Sequence, residues 1–144
     1  MINPRKILVM GLPGAGKSTI ARALCRELGA VHLNADEIRS TVHKDLGFSL
    51  VDRIEHARRL GFWADKIAQA GHVAVADFIC PTHETRGAFG RDAFVVFVDR
   101  LEKSRYPDTD ALFEVPAFPA VSVAAFGEPE YWARIIAREL HGAV

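Results

Sequence analysis

One run of residues near the amino end decides the fold of this 144-residue chain. It reads Lys6-Ile7-Leu8-Val9-Met10-Gly11-Leu12-Pro13-Gly14-Ala15-Gly16-Lys17-Ser18-Thr19. The compact apolar run that ends at Met10 does not alternate with polar residues, which predicts a strand buried on both faces. From Lys17, apolar residues recur at helical spacing until Gly29, which predicts a helix over 17–28. The glycine-rich turn between the strand and the helix matches the pattern G-x-x-x-x-G-K-S/T at every fixed position.

This turn predicts a phosphate-binding loop. Glycines let successive backbone N–H groups turn inward around a phosphate without Cβ clashes, and the following helix directs its unpaired N–H groups at the same anion. Lys17 would bridge the β- and γ-phosphates of ATP, and the Ser18 hydroxyl would ligate Mg²⁺. An ordinary glycine-rich turn is the alternative, which the matching lysine, serine and flanking elements disfavour. The predicted nucleotide-binding residues are Gly11, Leu12, Pro13, Gly14, Ala15, Gly16, Lys17, Ser18 and Thr19.

The remaining chain alternates short apolar runs with stretches of helical spacing, which is the pattern of a parallel α/β sheet. We predict a single domain over 1–144, with a three-layer α/β/α P-loop NTPase fold and about five parallel strands. The other predicted strands cover 31–33, 72–78, 93–98 and 120–124. The other predicted helices cover 35–43, 83–89, 128–141 and a stretch that Ser49 caps and that ends near Gly71. The polar stretch 99–110 predicts an exposed loop, and Trp63 and Trp132 are expected in the core.

Composition excludes several classes of protein. The chain is 49% hydrophobic and 25% charged, which is typical of a globular domain and excludes a disordered or collagen-like chain. It has 18 basic and 18 acidic residues, so no overall positive field would attract nucleic acid or an anionic membrane. No stretch is long and apolar enough to span a bilayer, no secretory signal is evident, and Cys25 and Cys80 match no metal spacing. We therefore expect a reduced, cytoplasmic protein that acts on a small-molecule substrate.

Three classes of nucleotide-binding protein compete for this sequence. A guanine-nucleotide switch would need an N-K-x-D segment, which the sequence lacks, and a motor ATPase usually needs a larger domain. A small-molecule kinase needs a carboxylate beside the acceptor hydroxyl, arginines for an anionic acceptor and a closing lid. The sequence offers candidates for all three. A nucleotide-binding module that has lost transfer remains the alternative from another class.

The candidate acceptor residues follow the second predicted strand. Asp36 and Arg39 should face the same crevice as the phosphate loop, because the carboxyl ends of parallel strands meet at one edge of the sheet. Asp36 could orient or deprotonate a hydroxyl or could simply cap a helix, and Arg39 could bind an anion or lie in solvent. Arg53, with His56 one turn later, makes a second candidate anion site. Phe48 could stack on a base or pack against the helix start.

A second metal candidate is Asp77, which closes the apolar strand predicted over 72–78. An acidic residue at this place can hold the Mg²⁺ shell, or it can cap the next turn. The remaining histidines show no ligand spacing, so we assign no metal to His32, His43, His72, His83 or His141.

Several segments beyond the loop follow one another in a recognisable order. They are Leu33-Asn34-Ala35-Asp36-Glu37-Ile38-Arg39, then Asp45-Leu46-Gly47-Phe48-Ser49 followed by Asp52-Arg53, then Phe78-Ile79-Cys80-Pro81. With the phosphate loop, these segments resemble the adenylylsulfate (APS) kinases from residue 7 to about 90, and the resemblance is weaker beyond 98.

The resemblance implies Mg²⁺-dependent transfer of the ATP γ-phosphoryl group to the 3′-hydroxyl of adenylylsulfate, and it implies a homodimer. By position, Asp36 is similar to the acidic residue near the acceptor hydroxyl, and Lys17 and Asp36 are the predicted catalytic residues. The predicted substrate-binding residues are Asp36, Arg39, Phe48, Arg53, His56, Ile79 and Cys80, with the arginines on the phosphosulfate and Phe48 on the adenine.

The chain departs from the family's pattern in four side chains and one segment. Asn34 replaces a usual Asp, His56 a usual Asn and Cys80 a usual Ser, whereas Asp77 stands where the family is typically uncharged. This last departure favours a metal role for Asp77, beside Ser18. The long basic lid is shortened to a region at about 99–118, in which Arg100, Lys103 and Arg105 are the basic residues before Asp110. Because a lid excludes water and completes charge neutralisation, its loss would slow transfer or change the acceptor.

Overall fold

The structure is a computed structural model, and it describes residues 5–142. Its strands are β1 (Lys6–Met10), β2 (Val31–Asn34), β3 (Ala74–Asp77), β4 (Phe94–Val98) and β5 (Val121–Val123). They form one parallel sheet in the order β2-β3-β1-β4-β5. The predicted fold class is confirmed, and each predicted strand is present with shifts of a residue or two at its ends.

Helices cover both faces of this sheet. They are α1 (Lys17–Leu28), α2 (Ala35–Thr41), α3 (Leu50–Gln69), α4 (His83–Phe89), α5 (Pro107–Leu112) and α6 (Pro129–Gly142). The side chains of β1 alternate between two core clusters, because successive residues of a strand point to opposite faces. Ile7 and Val9 pack with residues of α1 and α6, whereas Leu8 and Met10 pack with residues of α3 and α4. This central strand is therefore buried on both sides, as its uninterrupted apolar run predicts.

Two helix ends that position the site follow from local sequence signals. Gly16 precedes α1 in the left-handed region at φ 95° and provides no side-chain cap, so the first N–H groups of α1 keep no side-chain partner there. The Ser49 side chain accepts a hydrogen bond from the Asp52 backbone N–H, which confirms the predicted cap of α3.

Two sequence expectations are wrong. The polar stretch 99–110 is not entirely loop, because α5 begins at Pro107 within it. Proline is favourable in the first turn of a helix, and Phe113, which follows α5, stacks on Phe97 of β4 at 6.0 Å between ring centroids. Trp63 is 49% exposed, since α3 buries the opposite side with Leu60 and Ala64. Trp132 is only partly buried, against the cluster that α1 and α6 share.

None of the helices described between residues 5 and 142 has the length and apolar character that crossing a bilayer requires.

Candidate active site

The carboxyl ends of the central strands open into one cleft of about 1180 Å³. Its walls include most of the phosphate loop and, on the other side, the start of α2 and of α3. Every predicted acceptor-side residue and Asp77 lie along it: Asp36, Arg39, Phe48, Arg53, His56, Ile79 and Cys80. The loop residues that line it are Pro13, Gly14, Gly16, Lys17, Ser18 and Thr19. Topology thus brings together side chains that are distant in sequence.

The phosphate loop has the backbone shape that its glycines predict. Gly14 and Gly16 have φ values of 83° and 95°, which residues with a Cβ atom rarely adopt. Gly11 lies behind the loop, where a Cβ atom would come within 2.6 Å of the Val98 carbonyl oxygen. Three of the predicted nucleotide-binding residues, Gly11, Leu12 and Ala15, do not line the cleft. They could contribute to nucleotide binding only through the backbone conformation of the loop. The loop and the uncapped start of α1 together form a concave surface of N–H donors that suits a polyphosphate.

Lys17 bridges this loop from within. Its Nζ donates a hydrogen bond to the Leu12 carbonyl oxygen at 2.9 Å. Burial lowers the pKa of Lys17, and the nearby Asp77 and Asp36 carboxylates act in the opposite direction. A lysine that is partly desolvated gains more from an anionic ligand than an exposed one, because fewer water contacts must be replaced.

Ser18 and Asp77, the two predicted metal ligands, are in direct contact. The Ser18 hydroxyl donates to Asp77 Oδ1 at 3.1 Å, and Asp77 is only 3% exposed. Asn34 faces Asp77 across the β2–β3 register, and its Nδ2 donates to Asp77 Oδ1 at 3.0 Å and to Ser18 Oγ at 3.1 Å. His32 Nε2 contacts the other carboxylate oxygen, Oδ2. A buried carboxylate is thus saturated with partners beside the phosphate loop.

Sequence reasoning missed His32, because it searched the histidines only for metal-ligand spacing. The available signal was the strand period, since His32 and Asn34 lie two residues apart and therefore share one face of β2. Within residues 5–142 no group of three or more His, Cys, Asp or Glu side chains is arranged to hold a metal.

Asp36 lies at the start of α2 with its side chain exposed to the cleft. The cap of this helix is Asn34, whose Oδ1 accepts a hydrogen bond from the Glu37 backbone N–H at 2.9 Å. The alternative interpretation of Asp36, as the helix cap, is therefore wrong. Its carboxylate makes no hydrogen bond within the described part of the chain and faces the cleft.

Two guanidinium groups flank the ring of Phe48. The Cζ atoms of Arg39 and Arg53 lie 4.4 and 5.5 Å from the ring centroid, and the Phe48 side chain is 66% exposed. Arg39 Nη1 donates to the Gly47 carbonyl at 2.9 Å, and Arg53 Nε donates to the Phe48 carbonyl at 2.9 Å. Burial lowers the pKa of both arginines, which remain cationic because an arginine pKa lies far above neutrality. The arrangement presents two fixed cations and one aromatic surface to the cleft.

His56 and Cys80 form the buried floor of the acceptor side. His56 is 2% exposed, and its Nδ1 lies 2.8 Å from Nδ1 of His43. Burial, and then the charge of Arg39, lowers the pKa of His56 to about 3, so the ring is neutral at neutral pH. Burial raises the pKa of the Cys80 thiol to about 12, so it stays protonated there. His56 can therefore serve a ligand through neutral hydrogen bonds, and Cys80 is unsuited to act as a thiolate nucleophile.

The segment predicted to be a shortened lid, at about 99–118, forms one rim of the cleft. Lys103, Arg105 and Tyr106 line it, and Thr109 Oγ1 accepts a hydrogen bond from Arg53 Nη2 at 3.0 Å. Arg100 does not line the cleft, but it lies beside the phosphate loop, because its Nη1 is 3.1 Å from the point where a Gly16 Cβ would be. Sequence reasoning missed Tyr106 and Thr109, because no motif marks a cleft residue in a polar segment.

Comparisons with known proteins find relatives of this chain in sequence and in structure. The family model described as adenylylsulphate kinase matches residues 3–116. An adenylyl-sulfate kinase of Shewanella oneidensis is 36% identical over 133 residues, which cover 89% of this chain and 58% of that protein. One from Bacteroides thetaiotaomicron is 37% identical over 138 residues, which cover 84% of this chain and 68% of that protein. The chain thus spans little more than half the length of the first relative and two thirds of the second.

A solved structure is also similar over nearly the whole chain. It is the Mycobacterium tuberculosis APS kinase CysC in complex with AMPPNP and APS, with a TM-score of 0.86 and 25% sequence identity. The match covers 98% of this chain and 99% of that chain.

Proposed function

Because the chain belongs to the adenylylsulfate kinase family, we propose that it transfers the γ-phosphoryl group of ATP to the 3′-hydroxyl of adenylylsulfate. One observation carries the proposal. A single cleft joins a phosphate loop to an exposed carboxylate, two guanidinium groups and an aromatic ring. The solved M. tuberculosis relative holds a nonhydrolysable ATP analogue together with APS, which supports the same pair of ligands here.

The nucleotide half of the cleft suits Mg²⁺-ATP. The loop N–H groups would surround the β-phosphate, and Lys17 would leave the Leu12 carbonyl for the β- and γ-phosphates. Ser18 would ligate Mg²⁺ through its hydroxyl oxygen, a hard ligand of the kind that this ion prefers. Asp77, whose oxygens already contact Ser18, Asn34 and His32, would support the magnesium shell from behind Ser18. Bound there, Mg²⁺ would neutralise charge on the phosphates.

The acceptor half suits a doubly anionic purine nucleotide. Arg39 and Arg53 would pair with the phosphosulfate group, because charge-assisted hydrogen bonds from guanidinium to such oxygens are strong and directional. Phe48 would stack on the adenine. His56 and the backbone around Ile79 and Cys80 would line the floor beneath the acceptor, where His56 offers neutral hydrogen-bonding atoms.

Asp36 would act as the general base. The acceptor oxygen forms a new bond to the γ-phosphorus, the bond from that phosphorus to the β-phosphate oxygen breaks, and ADP leaves. The 3′-hydroxyl proton passes to the Asp36 carboxylate. Such proton removal completes the transfer, while positioning and charge neutralisation supply most of the acceleration.

ADP release from Mg²⁺-ATP, measured with adenylylsulfate, nucleosides and phosphosugars as separate acceptors, tests this proposal. We expect release that requires adenylylsulfate, and we expect Lys17→Ala to abolish it while Lys66→Ala, an exposed lysine away from the cleft, leaves it intact. Release with a different acceptor alone would indicate a kinase for another anionic metabolite. Tight ATP binding without release would indicate a module that has lost transfer, and either result overturns the proposed reaction.

The homodimer and the cytoplasmic location implied by the sequence stay predictions, as does the single kinase domain with a shortened lid.

A further inference from the structure

The hydroxyl group of Ser18 has only one orientation compatible with its neighbours. A serine hydroxyl has one proton and two lone pairs. The amide of Asn34 is oriented by the Glu37 backbone N–H, which must meet Oδ1, so Nδ2 faces Ser18 and Asp77. Because Nδ2 can only donate, it occupies one lone pair of Ser18 Oγ. An ionised Asp77 can only accept, so it takes the Ser18 proton.

Asn34 occupies one lone pair of Ser18 Oγ, so the second lone pair remains unused. In the proposed function this hydroxyl oxygen, at the start of α1, is a ligand of Mg²⁺. The hydrogen bonds from Asn34 and to Asp77 therefore present a fixed lone pair to a cation rather than a freely rotating hydroxyl. This arrangement depends on where the Asp77 carboxylate plane is held.

His32 holds the second oxygen of that carboxylate. Asp77 Oδ1 already accepts from Ser18 and Asn34, whereas Oδ2 has the contact with His32 Nε2 and a longer one of 3.3 Å from Asn34. Without the imidazole, the carboxylate would be anchored mainly at Oδ1 and could rotate about its Cβ–Cγ bond. A partner for Oδ2 is therefore needed to fix the acceptor that orients Ser18.

We propose that His32 is a positioning residue for metal-nucleotide binding, which acts through Asp77 to aim the unused lone pair of Ser18 at Mg²⁺. The inference rests on the Mg²⁺-ATP part of the proposed function and is independent of the acceptor. Partners behind a metal ligand orient it, and their removal typically costs about 10–100-fold in metal affinity or activity.

The test compares nucleotide affinity with and without the metal. The affinity of the whole chain for a nonhydrolysable ATP analogue is measured by calorimetry, once with Mg²⁺ and once with EDTA. In His32→Leu we expect the gain in affinity due to Mg²⁺ to fall about tenfold, while the metal-free affinity stays within about twofold. His32→Gln should restore most of the gain, because its amide nitrogen occupies the position of Nε2. His72→Leu, which removes an exposed histidine outside the cleft, should change neither value.

Two polar variants, His32→Asn and His32→Gln, keep the inference testable if His32→Leu does not fold. His32→Asn is too short to reach Asp77, so it should lose the Mg²⁺-dependent gain that His32→Gln keeps. Equal losses with and without Mg²⁺, or an unchanged ratio in both His32→Leu and His32→Asn, would overturn the inference. A lack of adenylylsulfate-dependent ADP release would overturn the proposed reaction instead and would leave this ratio unaffected.

Discussion

At the scale of single residues, the acceptor side of the cleft is organised before any ligand binds. The Arg39 and Arg53 guanidinium groups are each tied to a backbone carbonyl of the segment that carries Phe48. Because these side chains are already ordered, little conformational entropy is lost when they bind an anion. The Asp36 carboxylate is exposed to the same space, so its contribution should be chemical rather than structural.

Asp36→Asn should lower kcat by about two orders of magnitude, because the amide cannot accept the hydroxyl proton. The affinity for ATP should stay near normal, since the loop and Lys17 are unchanged. Steady-state ADP release and calorimetric ATP binding measure the two effects. Glu37→Gln is the matched control, as Glu37 is an exposed neighbour that does not line the cleft. Unchanged turnover in Asp36→Asn would remove Asp36 from the catalytic residues.

Phe48→Leu should raise KM for the acceptor about tenfold and leave KM for ATP unchanged. Leucine keeps the site apolar but removes the ring face, and stacking of a base on an aromatic side chain contributes about 1–3 kcal/mol. Initial rates at varied acceptor and ATP concentrations separate the two constants. Phe118→Leu, at a position 97% exposed and outside the cleft, serves as the control. Equal increases in both KM values would contradict a contact with the acceptor.

At the scale of elements, the segment predicted to be a shortened lid is a folded unit. The Asp110 carboxylate accepts hydrogen bonds from the Ser104 backbone N–H at 2.9 Å and from the Ser104 hydroxyl at 2.7 Å. After α5, the Glu114 backbone N–H donates to the Pro81 carbonyl oxygen at 2.6 Å. These bonds close a compact turn at the rim of the cleft and tie its end to the loop after β3.

Asp110→Ala should loosen this turn without unfolding the domain. Hydrogen bonds to a charged group contribute about 1.5–3 kcal/mol, so local opening should become at least about tenfold more frequent. Limited proteolysis followed by mass spectrometry should then show faster cleavage within residues 99–112. Glu102→Ala removes an exposed carboxylate of the same segment and should leave the cleavage rate unchanged. Equal rates for the two variants would show that Asp110 does not hold the lid.

At the scale of the whole molecule, the chain has no net charge, but its cleft carries an excess of positively charged side chains. The cleft is lined by Lys17, Arg39, Arg53, Lys103 and Arg105, with the three carboxylates of Asp36, Asp77 and Asp108. The excess of positive charge attracts an anionic ligand locally, and the rest of the chain, with 13 basic and 15 acidic residues, gives no general attraction to polyanions. The buried pair His43 and His56 makes the free energy of unfolding depend on pH, because burial lowers the pKa of both rings.

The free energy of unfolding should fall as the pH drops from 7 to 5. Burial lowers the pKa of His56 to about 3, and burial and then Arg59 lower the pKa of His43, whereas both titrate near 6.5 in an unfolded chain. Below pH 6.5 the unfolded chain therefore binds protons that the native protein does not. The contribution of the two neutral rings to the free energy of unfolding is fully present above that pH. It is lost as the pH falls toward the pKa of the folded state, by at most about 1.4 kcal/mol per pH unit for each ring.

Urea unfolding at pH 7, 6 and 5 measures this dependence. His56→Leu should be less stable at pH 7, and its free energy of unfolding should change less with pH, because the variant lacks one histidine whose pKa is lowered in the folded state. His72→Gln, at an exposed site, should keep the original slope. An unchanged slope in His56→Leu would show that the pair does not set the acid limit of the fold.

Local patterns in the sequence were sufficient to predict most of the backbone of this protein. The apolar run of β1, the glycines of the loop and the Ser49 cap each act within a few residues, where spacing reports backbone geometry directly. The parallel sheet followed from the alternation of elements. The positions of Asp36, Arg39 and Asp77 on the cleft followed because the carboxyl ends of neighbouring strands share one edge. Local signals failed where the segment is polar and has no apolar periodicity, as around α5, which was predicted as a loop. The structure has a helix there, which begins at Pro107 and is followed by the contact between Phe113 and Phe97.

Only the tertiary structure decided which polar side chains meet. His32 and Asn34 reach Asp77 because β2 pairs with β3 in one particular register, 43 residues from Asn34 to Asp77 along the chain. Arg53 meets Thr109 across 56 residues. Periodicity tells which face of an element is apolar, but a hydrogen bond between distant elements also requires their relative position to within a fraction of an ångström. That position is set by packing of the whole core, which no short stretch of sequence contains.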